Sequence, residues 1–132
     1  MTEARRRVDA GTVWGPTVGY SRAVRVGQTI HVAGTTGLDA KGSPVPGGMY
    51  GQSKQALANI LAALRQLGAG PEDVVRTRIF VTDISKWEDA GRAHGEIFAA
   101  IRPASTMVEV TRLIDPALVV EIEADAILPE GR

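Results

Sequence analysis

Three stretches of the chain gather groups able to do chemistry. Tyr20-Ser21-Arg22 places a phenol, a hydroxyl and a guanidinium at the start of an alternating segment. Gly34-Thr35-Thr36-Gly37 follows a β-branched run. Its glycines let backbone N–H groups approach a ligand, and its hydroxyls add two short hydrogen bonds. Such a Gly-Thr stretch is more often a tight loop whose threonines satisfy their own backbone. Near the C-terminus, Ser105, Met107 and Glu109 alternate along one segment and Glu121 and Glu123 along the next, which reads as a hairpin. A carboxylate held in a partly apolar cleft has its pKa raised and can act as a general acid or base towards water. Carboxylates at i and i+2 lie about 7 Å apart along a strand, a pairing that sheet faces carry routinely.

Other polar and aromatic residues have plainer readings. His94 falls on an apolar helical stripe with Ile97. Histidines so placed are usually packing residues, although their pKa suits proton transfer. Trp87 opens the same helix and is expected to pack at its N-terminus. Trp14 and Tyr20 are candidates for a pocket rim, but two aromatics do not make a base-stacking platform for RNA.

Composition narrows the classes. The 132 residues form one domain at about 100–200 residues per domain. Fifteen Lys+Arg balance fifteen Asp+Glu, for a net charge of zero. Neither a phosphate backbone nor an anionic membrane surface finds a basic surplus here, so no nucleic-acid or membrane partner is expected. Cysteine is absent, which removes disulfides, thiolate nucleophiles and Cys-type zinc sites. His31 and His94 are distant in sequence and form no His-x-x-x-His pair, so no metal is expected. The longest weakly polar run, Ala56–Leu64, is too short for a membrane span. The N-terminus has no signal-peptide pattern, and a cytoplasmic domain is expected.

The elements that must position these groups follow from periodicity. Residues 1–12 read as a loose polar tail, and residues 13–132 as the single domain. Ser21–Val26 alternates as a strand, Gly27-Gln28 turns, and Thr29–Ala33 returns. Gly34 to Gly48 is loop by composition. Leu57, Ile60, Leu61, Leu64 and Leu67 have helical spacing, with Gly68 as terminator. Val75, Thr77, Ile79 and Val81 alternate with Arg76, Arg78 and Phe80 in a third strand. Ser85-Lys86-Trp87-Glu88 has the capping-box pattern for a helix carrying Ala90, His94, Ile97 and Ile101 on one face. Arg102-Pro103 closes it. Strands Thr106–Leu113 and Leu118–Leu128 follow, joined by Ile114-Asp115-Pro116. The order β-β-α-β-α-β-β makes an α+β layer sandwich with two helices on one face of a sheet. In the last strand Val120, Ile122, Ala124 and Ala126 face the core. Glu121, Glu123 and Asp125 share the other face with Val119 and Ile127, a mixture that suggests packing between subunits.

The segment Arg102-Pro103-Ala104-Ser105-Thr106-Met107-Val108-Glu109-Val110, then Leu113 and Val120-Glu121-Ile122-Glu123-Ala124, resembles the signature region of the Rid family, also called YjgF or reactive-intermediate deaminases. Tyr20–Gly27, Val32-Ala33-Gly34-Thr35, Gln55–Leu64, Asp73–Thr77 and Phe80–Asp83 extend the likeness over about residues 13–128. The resemblance implies a chorismate-mutase-like fold, a homotrimer with a central barrel of packed sheets, and small-molecule clefts between subunits. It also implies hydrolysis of enamines and imines such as 2-aminoacrylate to a 2-keto acid and ammonia, without metal or cofactor. Tyr20 then matches the family tyrosine, Gly34 the turn glycine beside Thr35, and Glu121 the water-handling glutamate.

The arginine of the family's Pro-Ala-Arg motif, which binds the substrate carboxylate, is Ser105 here. The cysteine two residues later is Met107, and the frequent asparagine of the second helix is Gly91. Either Arg22 or Arg102 reaches the cleft in its place, or the ligand has no carboxylate and Ser105, Thr106, Met107, Trp87 and His94 shape a different pocket. A non-catalytic binding trimer is the alternative reading, and ribonuclease activity the remote one.

Overall fold

A computed structural model describes residues 4–132. Nine elements run in order: β1 (Arg6–Asp9), α1 (Gly15–Val18), β2 (Ser21–Val26), β3 (Thr29–Thr36), α2 (Gly48–Gln66), β4 (Val74–Val81), α3 (Trp87–Phe98), β5 (Ala104–Glu109) and β6 (Val120–Ile127). They make a mixed α+β fold around one sheet of order β1-β2-β3-β6-β4-β5. All pairs are antiparallel except β4 with β5, which are joined by the α3 crossover.

The core lies between α2, α3 and one face of the sheet. Leu57, Ile60 and Leu64 from α2 meet Ile30, Val32, Ile79, Val120 and Ile122, all buried. β6 runs through the middle of the sheet, where Ala124 and Ala126 are fully buried. Burial of an aliphatic side chain of this kind contributes about 1.5–3 kcal/mol. α2 ends as the sequence predicts: Gly68 has φ +89°, and the Ala69 and Gly68 N–H groups donate to Leu64 and Arg65 carbonyls. These are the two bonds that close a helix through a left-handed residue. Arg25 Nη1 adds a bond to the Leu67 carbonyl at 2.7 Å.

Several expectations change. Residues 1–3 of the expected loose tail lie outside the described residues, but Arg6–Asp9 pairs with β2, with Val8 turned towards the core. The four-residue strand is polar elsewhere, so periodicity gives it no signal. β3 continues to Thr36 instead of stopping at Ala33, because its pairing with β6 shifts between Val32 and Thr35. That bulge carries the strand past the glycine and turns Thr35 inward. A second shift, between Val74 and Arg76, puts Val74 rather than Val75 in the core.

The helix expected to start with a Ser85 cap is preceded by a short 3₁₀ turn, Ile84–Lys86, and Asp83 is the capping residue. Its Oδ1 accepts from Ser85 N at 3.0 Å and Ser85 Oγ at 2.6 Å. Arg102 leaves the α region as a residue before proline should, but to the left-handed side, at φ +58°.

The largest correction concerns the expected C-terminal hairpin. β5 and β6 are not neighbours; β4 lies between them and pairs with both. Among the described residues, no helix is long and apolar enough to cross a membrane.

Candidate functional site

The face of the sheet away from the helices carries Glu121, Glu123 and Asp125 on β6, with His31 beside them on β3 and Arg78 on β4. Two of the carboxylates are compensated. Asp125 meets His31 Nδ1 at 2.7 Å and Arg78 at 3.1 Å, and Glu123 lies 3.6 Å from Arg78. Glu121 differs: among the described residues nothing donates a hydrogen bond to it and no cation pairs with it.

The β3 bulge makes room for that carboxyl group. A methyl group built on Gly34 would overlap Glu121 Oε2 and lie 2.8 Å from its Cδ. Glycine at this position is therefore the space into which the carboxylate folds. Burial pushes the Glu121 pKa above the usual carboxylate range. The Glu123 charge pushes it the same way, and Arg22 pulls against both.

Arg22 rises from β2 beside the bulge. Its Nη1 donates to the Gly34 carbonyl at 2.9 Å and to Thr35 Oγ1 at 3.0 Å, and its Nη2 to the Ala10 carbonyl at 3.1 Å. Thr35 Oγ1 in turn donates to the Ala33 carbonyl at 2.8 Å. The guanidinium thus clamps the bulge to the segment before α1. Tyr20 shares a 2.8 Å hydrogen bond with Thr12 Oγ1, and its ring centroid lies 5.9 Å from the Arg22 guanidinium carbon. Tyr20, Arg22, Gly34 and Glu121, with Trp14 and Ile114, line one cavity of about 260 Å³.

The remaining candidates lie elsewhere. Ser105 pairs in register with Thr77, whose side chain is fully buried on the helix side of the sheet. Thr77 Oγ1 donates to Ser105 Oγ at 2.8 Å and lies 2.9 Å from His94 Nε2. His94 packs on Phe98 with ring centroids 4.7 Å apart, and burial holds its pKa below the usual imidazole range. Met107 is half-buried on the same face of β5. Trp87 stands two turns before His94 on α3 and is 54% exposed.

The expected grouping therefore divides. Glu121, Tyr20, Gly34 and Arg22 converge on a cavity, Thr35 braces it, and Ser105 and His94 join a separate chain on the other face. Sequence reasoning missed Thr77, although a threonine inside an otherwise aliphatic buried alternation is the signal that marks it. It also missed Thr12 and Ile114. Among the described residues, no cluster of three or more His, Asp or Glu is arranged to hold a metal ion.

A family model described as Endoribonuclease L-PSP matches residues 12–128. An uncharacterized protein of Streptomyces coelicolor is 36% identical over 125 residues, covering 95% of this chain and 93% of its own. A mouse protein named 2-iminobutanoate/2-iminopropanoate deaminase is 33% identical over 129 residues, covering 96% and 95%. Among solved structures, a Mycobacterium tuberculosis member of the YjgF/YER057c/UK114 family has a TM-score of 0.87 at 50% identity, covering 95% of this chain and 100% of that one.

Proposed function

We propose, on the premise that the chain belongs to the endoribonuclease L-PSP family, the Rid or YjgF proteins, that it hydrolyses small reactive imines or enamines, with Glu121 handling the water. The observation that carries this reading is the half-buried Glu121 carboxyl group, unpartnered at a cavity shared with Tyr20. The deaminase name of the mouse relative supports the reaction class.

In this mechanism the substrate enters as an iminium, R₂C=NH₂⁺. Glu121 takes a proton from water as the oxygen bonds to the imine carbon, and the C=N π pair goes to nitrogen. The protonated carboxyl group then delivers that proton to the amine. Ammonia leaves with the C–N pair as Glu121 removes the hydroxyl proton, giving R₂C=O; Glu121 then passes that proton to the departing NH₃, giving NH₄⁺ and restoring the carboxylate. A carboxylate with a raised pKa serves both directions of transfer better than an ordinary one. Tyr20 orients the substrate through its hydroxyl group.

The same reading has three copies packing around the open face of the sheet. The outer edge of β5 in one copy would then approach the Glu121 cavity of the next, bringing Ser105 and Met107 into an inter-subunit cleft. Support comes from the apolar residues on that face, including Val108 and Ile127, both exposed in the single chain.

The test supplies imines of two kinds, 2-imino acids from an amino-acid dehydratase and alkyl imines from an amine oxidase. Carbonyl release is followed with and without the protein. Acceleration is expected with at least one kind, and Glu121→Gln should lose about 10²–10⁴-fold in turnover. No acceleration with either would replace the hydrolase by a binding trimer.

A further inference from the structure

The charges and apolar groups around the Glu121 cavity select among possible ligands. Among the described residues Arg22 is the one cation on its wall, and its two Nη groups already donate to the Gly34 and Ala10 carbonyls and to Thr35 Oγ1. Drawing it onto a ligand would break the clamp that holds the bulge and leave part-buried carbonyls unmet. The Ser105 of the same chain lies on the opposite face, where its oxygen accepts from Thr77, so only the Ser105 of a neighbouring copy reaches this cavity in the proposed trimer. A single serine hydroxyl is in any case a neutral donor, without the forked, charged geometry that holds a carboxylate. Among the described residues that line the cavity none is a free cation, so an anionic ligand would sit beside Glu121 with nothing from its own chain to offset two like charges.

The rest of the wall sets the neutral hydroxyls of Thr12, Tyr20 and Thr36 among apolar groups. Trp14 and Ala33 line it, and at its mouth Val18 is 68% and Ile114 61% exposed. Exposed aliphatic side chains gathered at a cavity mouth are a binding feature more than a packing one. At about 260 Å³ the cavity falls just under the range of roughly 300–1,000 Å³ that holds drug-sized ligands, so it suits a small branched or short-chain molecule.

We infer that this site takes small, apolar-bodied imines that are neutral or cationic and carry no carboxylate, and that it discriminates against free 2-imino acids. The inference rests on the proposed role of the same cavity, deepening it to a substrate class. Glu121 as the anion favours the iminium over the neutral imine, which places the more electrophilic form next to the water it activates. The reaction that supplies such a substrate is the oxidation of a simple primary amine to its imine, and the product is an aldehyde or ketone rather than a keto acid.

Binding can be read apart from turnover. Three probes of one shape, isobutylamine, isobutyramide and isobutyrate, are titrated into the ¹⁵N-labelled protein. The Gly34 amide and Trp14 indole signals are followed by heteronuclear NMR. The amine and the amide should each bind about tenfold or more tightly than the carboxylate, as expected when like charges share a site. The amine, drawn by the Glu121 charge, should also bind more tightly than the amide, and Glu121→Gln should remove that difference while the amide still shifts Gly34 and Trp14. Isobutyrate binding as tightly as the others, or no probe shifting these two signals, would overturn the inference. Amine binding without hydrolysis of any imine would sink the hydrolase reading and leave this one standing.

Discussion

On the open face of the sheet, Glu121 is half-buried beside a cavity and accepts no hydrogen bond from the described residues. On the helix face, Thr77 is fully buried yet links His94 and Ser105 into a chain of short hydrogen bonds. Both clusters are anchored to strands that pair with each other, β6 and β4. One leaves a charged group wanting a partner, and the other supplies partners for neutral groups. An unmet buried polar group costs about 1–3 kcal/mol, and Glu121 escapes part of that cost because its carboxyl group reaches the cavity. The second arrangement is what ordinary packing does with polar side chains.

The largest effect that sharpens this contrast is expected from Gly34→Ala. The added methyl group evicts the Glu121 carboxyl group, so turnover should fall by about 10² or more, on the scale of a lost acid–base group. The circular dichroism spectrum should stay unchanged. Wild-type turnover in that variant would show that the carboxylate needs no such seat. On the other face, Thr77→Val keeps the shape and strips His94 and Ser105 of their shared partner. We expect a loss of about 1–3 kcal/mol in urea unfolding, with imine hydrolysis per folded molecule little changed if Thr77 is structural.

A smaller effect separates the charges around Glu121. Glu123→Gln removes a repulsion, so the acid limb of the pH–rate profile should move to lower pH. Arg22→Gln removes an attraction and should move it higher. Shifts in the reverse sense would mean that Glu121 does not set that limb.

The smallest expected effect is in stability against pH, where the clusters have opposite signs. The raised pKa of Glu121 favours its protonated form in the folded chain. Its contribution is full at acid pH, below the ordinary carboxylate range, and is lost as pH rises through the raised value. Glu121→Gln should therefore stabilise the fold at neutral pH even as it removes activity. His94 has a lowered pKa, so its contribution is full above about 6.5, the ordinary histidine value, and is lost as pH falls below it. Urea midpoints measured from pH 5 to 8 for Glu121→Gln and His94→Gln test both signs.

The sequence carried the element order well, because helical and strand periods change sharply at Tyr50 and Val74 and Gly68 ends α2. The inward set Val120, Ile122, Ala124 and Ala126 was also legible from alternation alone. Parity was lost wherever a bulge intervened, at Ala33-Gly34 and again at Val75, since one extra residue reverses which side chains face inward. The partner of each strand was not legible either. Adjacent segments suggest a hairpin, whereas β6 passes over β5 to pair with β4 and β3.

For the site, Tyr20, Arg22, Gly34 and Glu121 were already candidates by residue type and position, and the family resemblance gave Tyr20, Gly34 and Glu121 their roles. Their convergence depends on the bulge, which no local pattern encodes. Thr77 was missed because a β-branched residue in a strand reads as packing until its hydroxyl is seen to bridge two side chains.

The insertion of β4 between β5 and β6 also bears on kinetics. Ser105 sits level with Thr77 and Glu121 level with Phe80, and their side chains leave the sheet on opposite faces. One folded chain cannot apply both groups to one substrate molecule. If turnover uses both, they come from different copies, and specific activity must fall on dilution as the copies part. If turnover uses the Glu121 cavity alone, activity per chain holds constant to the lowest concentration at which the fold survives. The arrangement of three strands thus becomes a question of reaction order in protein, answered by a dilution series.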